Sequence, residues 1–299
     1  MQSSYLIVPD FFERAHELRA CFDRHFADPA HSGGPSHQIW DYWHVPTMYT
    51  YLRTQPGRVI RPELMERLVA QLKAWAMETL GLSEITPPYL SLYVNGCGQG
   101  LHNDSGNGRW GFVYSLTNWD QRRFSGGETL VFHESSYWET EAVRRPGAGS
   151  NFYDLVPARF NQLLVFDDRV IHGVPAIQGD MAPQDGRVVI HGHIREGGIV
   201  IDGPLADAGM PTLAQALGRI RSGLERAGQG HHGCVCVRLE IDRDGRVTRA
   251  ARLSDRVYRT SPHAADPERL VCELTDVLAT LRFPAASGRS VATVPVAIG

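Results

Sequence analysis

Apolar positions recur at helical spacing in two stretches near the start of the chain. After Asp10, the residues Phe11, Ala15, Leu18, Phe22 and Phe26 fall three or four apart and predict a helix over 11–26. Leu64, Leu68, Leu72 and Trp75 repeat that spacing over 62–80, with Pro62 in the first turn and Gly81 past the end. Between the two lies SHQIWDYWHVPTMYTYLRT, aromatic and without a clear period. Its rings are expected to pack in a core, with strands framing a pocket as the alternative.

From residue 89 the pattern shortens to apolar runs of five to eight residues between Gly, Pro and Asn: YLSLYV (89–94), WGFVYSL (110–116), ETLVF (128–132), QLLVF (162–166) and RVVIHGHI (187–194). Many short strands with turn signals between them predict an antiparallel sandwich or barrel. No glycine-rich phosphate loop follows a strand and opens a helix, which argues against a nucleotide-binding fold.

The texture changes again near residue 200. A helix is expected over 211–228, then two strands, a helix (DPERLVCELTDVLATLRF) and a last strand (SVATVPVAI). The expected organisation is a first domain at 1–200, a linker and helix at 201–230, and a small α+β domain at 231–299.

Composition changes this picture little. A net charge of −3, with 42% hydrophobic and 21% charged residues, fits a soluble globular chain and disfavours nucleic acid as a partner. The short apolar run at the start has no basic region before it, and no apolar stretch reaches about 18 residues. A cytoplasmic protein without a membrane span is therefore expected, its five irregularly spaced cysteines reduced. His231, His232, Cys234 and Cys236 fit no established zinc spacing, and the two cysteines read as one face of a strand.

The candidate chemistry begins at GQGLHNDSG, residues 98–106. With 13 histidines in the chain, a lone His-x-Asp is close to a chance event. If these residues end a strand, however, alternation aims His102 and Asp104 at one point. His172, just after the apolar run QLLVF, offers a third ligand, and two His with one carboxylate make the facial triad of non-haem iron oxygenases. Arg187 opens the strand RVVIHGHI; pointing inward it would need an anion, and pointing outward it would be an ordinary surface arginine. Arg187, Val189, His191 and His193 share one face by alternation, so the two histidines either contact ligands or are satisfied polar residues of the interior. Trp40, Trp43, Trp110 and Trp119 are expected to pack, with a place on a substrate rim as the alternative.

In sequence order, Tyr93-Val-Asn-Gly96, His102-Asn-Asp104, Tyr114-Ser-Leu-Thr, Gly126-Gly-Glu-Thr129, His172-Gly-Val and Gly186-Arg187 resemble the prolyl 4-hydroxylase-like branch of the Fe(II)/2-oxoglutarate oxygenase superfamily. The resemblance runs over roughly 90–195, and YLIVPDFF near the start is similar to the family's opening. It implies a mainly β fold, a double-stranded β-helix or jelly roll flanked by the amino-terminal helices. It also implies Fe(II) on His102, Asp104 and His172, and 2-oxoglutarate paired to Arg187 with Tyr93 beside it. O2 would be consumed, with ascorbate as reductant. Where the family has Tyr-Leu-Asn, this chain has Tyr114-Ser115-Leu116-Thr117, which makes Ser115 the candidate co-substrate contact; His191 is a further one. Related halogenases carry a small residue in place of the carboxylate, so Asp104 favours hydroxylation of an aliphatic C–H, with desaturation or cyclisation as alternatives. The acceptor is expected to be a peptide or protein side chain, with a free amino acid or natural-product small molecule as the alternative. A non-catalytic jelly-roll binding protein is the reading from another class.

Residues 232–299 resemble the carboxy-terminal domain of TonB: an alternating strand, the Asp244-Gly245 turn into a second strand, and Arg282-Phe-Pro after the helix. The resemblance implies binding of a peptide partner by edge augmentation, or a dimer contact, with a purely stabilising appendage as an equal alternative.

Overall fold

In the computed structural model the strand that carries Arg187 organises the larger sheet. The structure describes residues 4–27, 39–133, 152–227, 230–261 and 263–298, excepting the side chains of 221–227. The nine-residue strand Arg187–Arg195 is β12. It pairs antiparallel with Tyr89–Tyr93 (β5) on one edge and with Trp110–Ser115 (β7) on the other. Arg187 to Ile190 are all buried, as a central strand covered on both faces requires.

The remaining strands are Tyr5–Val8 (β1), Asp41–Val45 (β2), Tyr49–Thr54 (β3), Glu84–Ile85 (β4), Gly98–His102 (β6), Thr129–Phe132 (β8), Tyr153–Val156 (β9), Leu163–Asp167 (β10) and His172–Val174 (β11). All pair into one 12-stranded sheet in the order β1-β10-β7-β12-β5-β3-β6-β11-β8-β9, with β2 beside β3 and β4 beside β12. Two four-stranded runs stand out, β10-β7-β12-β5 and β6-β11-β8-β9, joined through β3. Strands β5 to β12 switch between these runs, in the same alternation from either end. That is the connectivity of a double-stranded β-helix. Its opposed runs bring β6, β11 and β12 around one interior. Val131, Val156, Leu164, Phe166 and Val170 form a buried apolar cluster there.

The chain divides into two compact units. The barrel unit comprises Ser3–Leu72 and Ile85–Ile194, and the second comprises Lys73–Glu84 and Arg195–Gly299. The first helix, α1, spans Ala15–Ala27 and buries Ala15, Leu18, Arg19, Cys21 and Phe22. It starts later than the apolar period suggests, because the amides of Phe11 and Phe12 are taken by the carbonyl and side-chain oxygen of Asn161. The next, α2, spans Pro62–Thr79. The aromatic stretch before it, read from sequence as core, is a hairpin of β2 and β3. β3 packs inward with Tyr51 buried, whereas β2 is exposed along its whole length, Tyr42 to 63%. An added neighbouring strand satisfies the backbone of β2 and leaves its rings at the surface.

In the second unit, Val200–Asp202 (β13), His231–Ile241 (β14), Val247–Arg259 (β15) and Ser290–Ile298 (β16) pair antiparallel in the order β13-β16-β14-β15. Met210–Ala227 (α3) and Pro267–Ala279 (α4) accompany them. Its interior holds an apolar cluster that includes Val235, Val237, Leu239, Leu274, Leu278 and Val294. Asp266 caps α4, its side chain accepting from the Glu268 amide. No helix among the described residues is long and apolar enough to cross a membrane.

Candidate functional site

His102 closes β6 and His172 opens β11, and the two residues face one another in register. Their rings lie 4.3 Å apart between centroids. Asp104, two residues past β6, brings Oδ2 to 3.3 Å from His172 Nε2 and 3.9 Å from His102 Nε2. One ligand atom from each of the three lies within 4.8 Å of the others. β6 can run this close because Gly100 lies against β3: a Cβ there would collide with the Thr47 carbonyl. The glycines that weaken the strand pattern in the sequence therefore make room for it.

The protonation pattern is fixed by backbone. His102 Nδ1 donates to the Gly100 carbonyl at 2.8 Å, and His172 Nδ1 donates to the Val170 carbonyl at 2.9 Å. With Nδ1 as the N–H, each Nε2 is left facing Asp104, to carry a proton toward the carboxylate or a lone pair toward a metal. Burial lowers the His102 pKa, and the neighbouring His172 lowers it further. Burial alone would raise the Asp104 carboxyl. The hydrogen bond and charge of His172, joined by His102, outweigh it and hold the group at about 2. Two imidazoles with Nδ1 committed to backbone and an ionised carboxylate, held this way, form a donor set suited to a divalent transition metal.

Arg187 and Tyr93 are partners across β12 and β5. The guanidinium carbon lies 4.7 Å from the Tyr93 ring centre, and Tyr51 stacks on Tyr93 at 5.0 Å. Arg187 is 1% exposed, so it is the inward-pointing reading, not the surface one, that the fold realises. Its Nη2 donates to Thr129 Oγ1 at 3.2 Å, and its Nε has no hydrogen-bond partner. Among the described residues no carboxylate pairs with it. Burial lowers its pKa. A buried cation with unspent donors on a planar fork calls for an anion.

Ser115 is buried, but its hydroxyl donates to the Ala158 carbonyl at 2.8 Å and accepts from the Thr117 amide. Thr117 is likewise occupied, by the carbonyl and amide of Val188. Neither hydroxyl is left over for a ligand in this arrangement. His191 shares a 2.8 Å hydrogen bond with Ser91 Oγ, and its ring packs among Tyr51 and Tyr89. Burial, reinforced by His193 and Arg187, pushes its pKa down to about 3, so it is a neutral, satisfied residue of the interior.

Sequence reasoning passed over two features. Asp168 is fully buried, accepts from His193 Nδ1 through both oxygens at 3.1 and 3.0 Å, and lends its carbonyl to the Asp104 amide at 2.7 Å. Burial raises its carboxyl to about 6. A Cβ at Gly111 would sit 2.8 Å from the Asp168 carboxylate, so that glycine clears its place. The second feature is β3, whose inward row begins at Tyr49, edge-on to His102 at 5.0 Å, and continues through Tyr51. The alternation Tyr-Thr-Tyr-Leu-Arg was its available signal. Of the four tryptophans, Trp110 and Trp119 are buried and Trp40 packs on Phe22 and Phe26, whereas Trp43 is 37% exposed.

No protein-family model and no curated protein matches the chain. Solved structures do. A Pseudomonas putida prolyl-4-hydroxylase is 17% identical, over 65% of this chain and 94% of that one, with a TM-score of 0.45. SnoN, a non-heme alpha ketoglutarate dependent epimerase from nogalamycin biosynthesis, is 16% identical over 63% and 76%, with a TM-score of 0.44. EctD from S. alaskensis, solved with bound Fe, is 17% identical over 63% and 71%, with a TM-score of 0.40.

Proposed function

We propose that this chain is an Fe(II)- and 2-oxoglutarate-dependent oxygenase that hydroxylates an aliphatic C–H. The observation that carries the reading is the convergence of His102, His172 and Asp104, with both Nδ1 atoms committed to backbone carbonyls so that both Nε2 atoms remain as donors. These three residues would hold the metal and leave its other face open. Arg187, backed by Tyr93 and Thr129, would bind the distal carboxylate of 2-oxoglutarate and give its unspent donors a partner. Bound there, Fe(II) would supply O2 activation coupled to decarboxylation of 2-oxoglutarate to succinate and CO2, with ascorbate maintaining the reduced ion.

The protein's own residues would do the rest. Asp104 supplies the negative charge that offsets the cation, and His193, through Asp168, holds the Asp104 turn in place. The Tyr51–Tyr93 stack excludes water from Arg187 and keeps its attraction for a carboxylate strong. Residues 1–200 would form the oxygenase domain, 201–230 a linker and helix, and 231–299 an appended domain of the TonB carboxy-terminal type. Strands β13 and β15 end its sheet, and a partner strand or a second copy would add there.

The test is succinate formation by purified protein supplied with Fe(II), ascorbate and 2-oxoglutarate. Asp104→Ala and His172→Ala should abolish it while leaving circular dichroism unchanged. Undiminished turnover in either variant would overturn the metal assignment.

A further inference from the structure

The barrel interior carries a second cation without an anion. Arg53 is on β3, two residues beyond Tyr51 and on the same face. Its guanidinium carbon lies 3.7 Å from the Trp43 ring centre and 4.6 Å from that of Tyr89. Trp43 comes from β2 and Tyr89 from β5, the two strands that flank β3, so a ring approaches from each side. The Nε atom is buried and has no hydrogen-bond partner. No carboxylate among the described residues pairs with Arg53.

Arg53 and Arg187 lie toward opposite ends of one stack. Tyr93 lies under Arg187, Tyr51 stacks on Tyr93, and Arg53 follows Tyr51 along β3. Arg187 is sealed, whereas the rings that hold Arg53 are both more than a third exposed. The sealed end suits a co-substrate that is wholly enclosed, and the open end suits a molecule that enters from solvent. Trp43 and Tyr89 lie against the guanidinium and the Tyr51 side chain hydrogen-bonds with it, and the donors not used there are left for a ligand. Two parallel N–H donors match the two oxygens of a carboxylate.

We propose that Arg53, held between Trp43 and Tyr89, binds a free carboxylate on the substrate, so that the acceptor is a carboxylate-bearing molecule with an apolar body and not an internal residue of a neutral peptide. The proposal rests on the oxygenase reading only in calling the ligand a substrate; the anion site stands on Arg53 itself.

The experiment is a calorimetric titration of the full-length protein, metal-free and loaded with Mn(II) and 2-oxoglutarate, against three probes: 4-phenylbutyrate, 4-phenylbutanamide and 2-phenylethyl phosphate. The carboxylate should bind about tenfold or more tightly than the amide, the scale of a charge-assisted hydrogen-bond pair. Arg53→Gln should erase that preference, and Arg53→Lys, which keeps the charge but not the fork, should retain part of it. Circular dichroism of both variants establishes that they fold; if Arg53→Gln does not, Arg53→Lys and the wild-type comparison decide. Equal binding of carboxylate and amide to the wild type, no binding of either at about 10 mM, tighter binding of the phosphate, or a preference that survives Arg53→Gln would each overturn the proposal. A carboxylate preference in the metal-free protein with no uptake of Mn(II) and 2-oxoglutarate would count against the oxygenase reading and leave the Arg53 site standing.

Discussion

The two sheets of this chain enclose opposite kinds of interior. The smaller sheet closes over an apolar cluster of Val235, Val237, Leu239, Val294 and their neighbours, and polar side chains buried beside it, such as Ser254 and His231, hydrogen-bond to backbone carbonyls. The larger one encloses two histidines and a carboxylate aimed at one another, a sealed arginine and a row of tyrosines. Apolar burial stabilises in proportion to area. Buried charge without a partner does the reverse. A fold that retains the second kind of interior gives up stability at those positions, and a ligand that paired with them would restore it.

Substitutions should separate the two regions. The largest effect is expected at the triad: His102→Ala or Asp104→Ala should lower Fe(II) affinity more than about 100-fold, beyond the range for residues that only support ligands, as read by anaerobic metal titration. Each should cost the apo protein less stability than a core truncation does, the loss at Asp104 being its contact with His172. Leu239→Ala in the smaller sheet should do the opposite, lowering stability by about 2–5 kcal/mol in chemical denaturation with metal affinity intact. Arg187→Met should weaken 2-oxoglutarate by about 10- to 100-fold and make the ligand-free protein more stable by about 1 kcal/mol or more. A destabilised Arg187→Met protein would show that this arginine serves packing.

A smaller effect follows from His191, held near 3 by burial against an unfolded value of about 6.5. Above pH 6.5 the ring is neutral in both states and contributes nothing to pH dependence. As the pH falls from 6.5 toward 3, the unfolded chain takes up a proton that the folded one excludes, so stability falls across that window. His191→Gln should remove this part of the acid slope. An unchanged slope between pH 7 and 4 would contradict the burial assigned to the ring.

Much of the barrel was legible because its central strands obey simple rules. YLSLYV, WGFVYSL and QLLVF became β5, β7 and β10 within a residue at either end. Alternation also gave the shared face of Arg187 and His191. The hairpin at 41–54 was legible only as the alternative to core packing, since the exposed rings of β2 look the same in sequence as the rings that pack inward on β3. β9 escaped because Tyr153–Val156 is only four residues of mixed exposure. Ser115 was a reasonable candidate from its position on the inner face, but a hydroxyl carries no sign of which carbonyl it will find. Asp168 and Arg53 were invisible for a related reason: their meaning lies in partners far along the chain, or in having none.

The central claim is that the triad and Arg187 form one site. It is tested most directly by titrating 2-oxoglutarate anaerobically into the protein with and without Mn(II), in the wild type and in Asp104→Ala. The account predicts one equivalent bound, tightened at least about tenfold by the metal, and no such tightening in Asp104→Ala. Equal 2-oxoglutarate affinity with and without the metal in the wild type would contradict it.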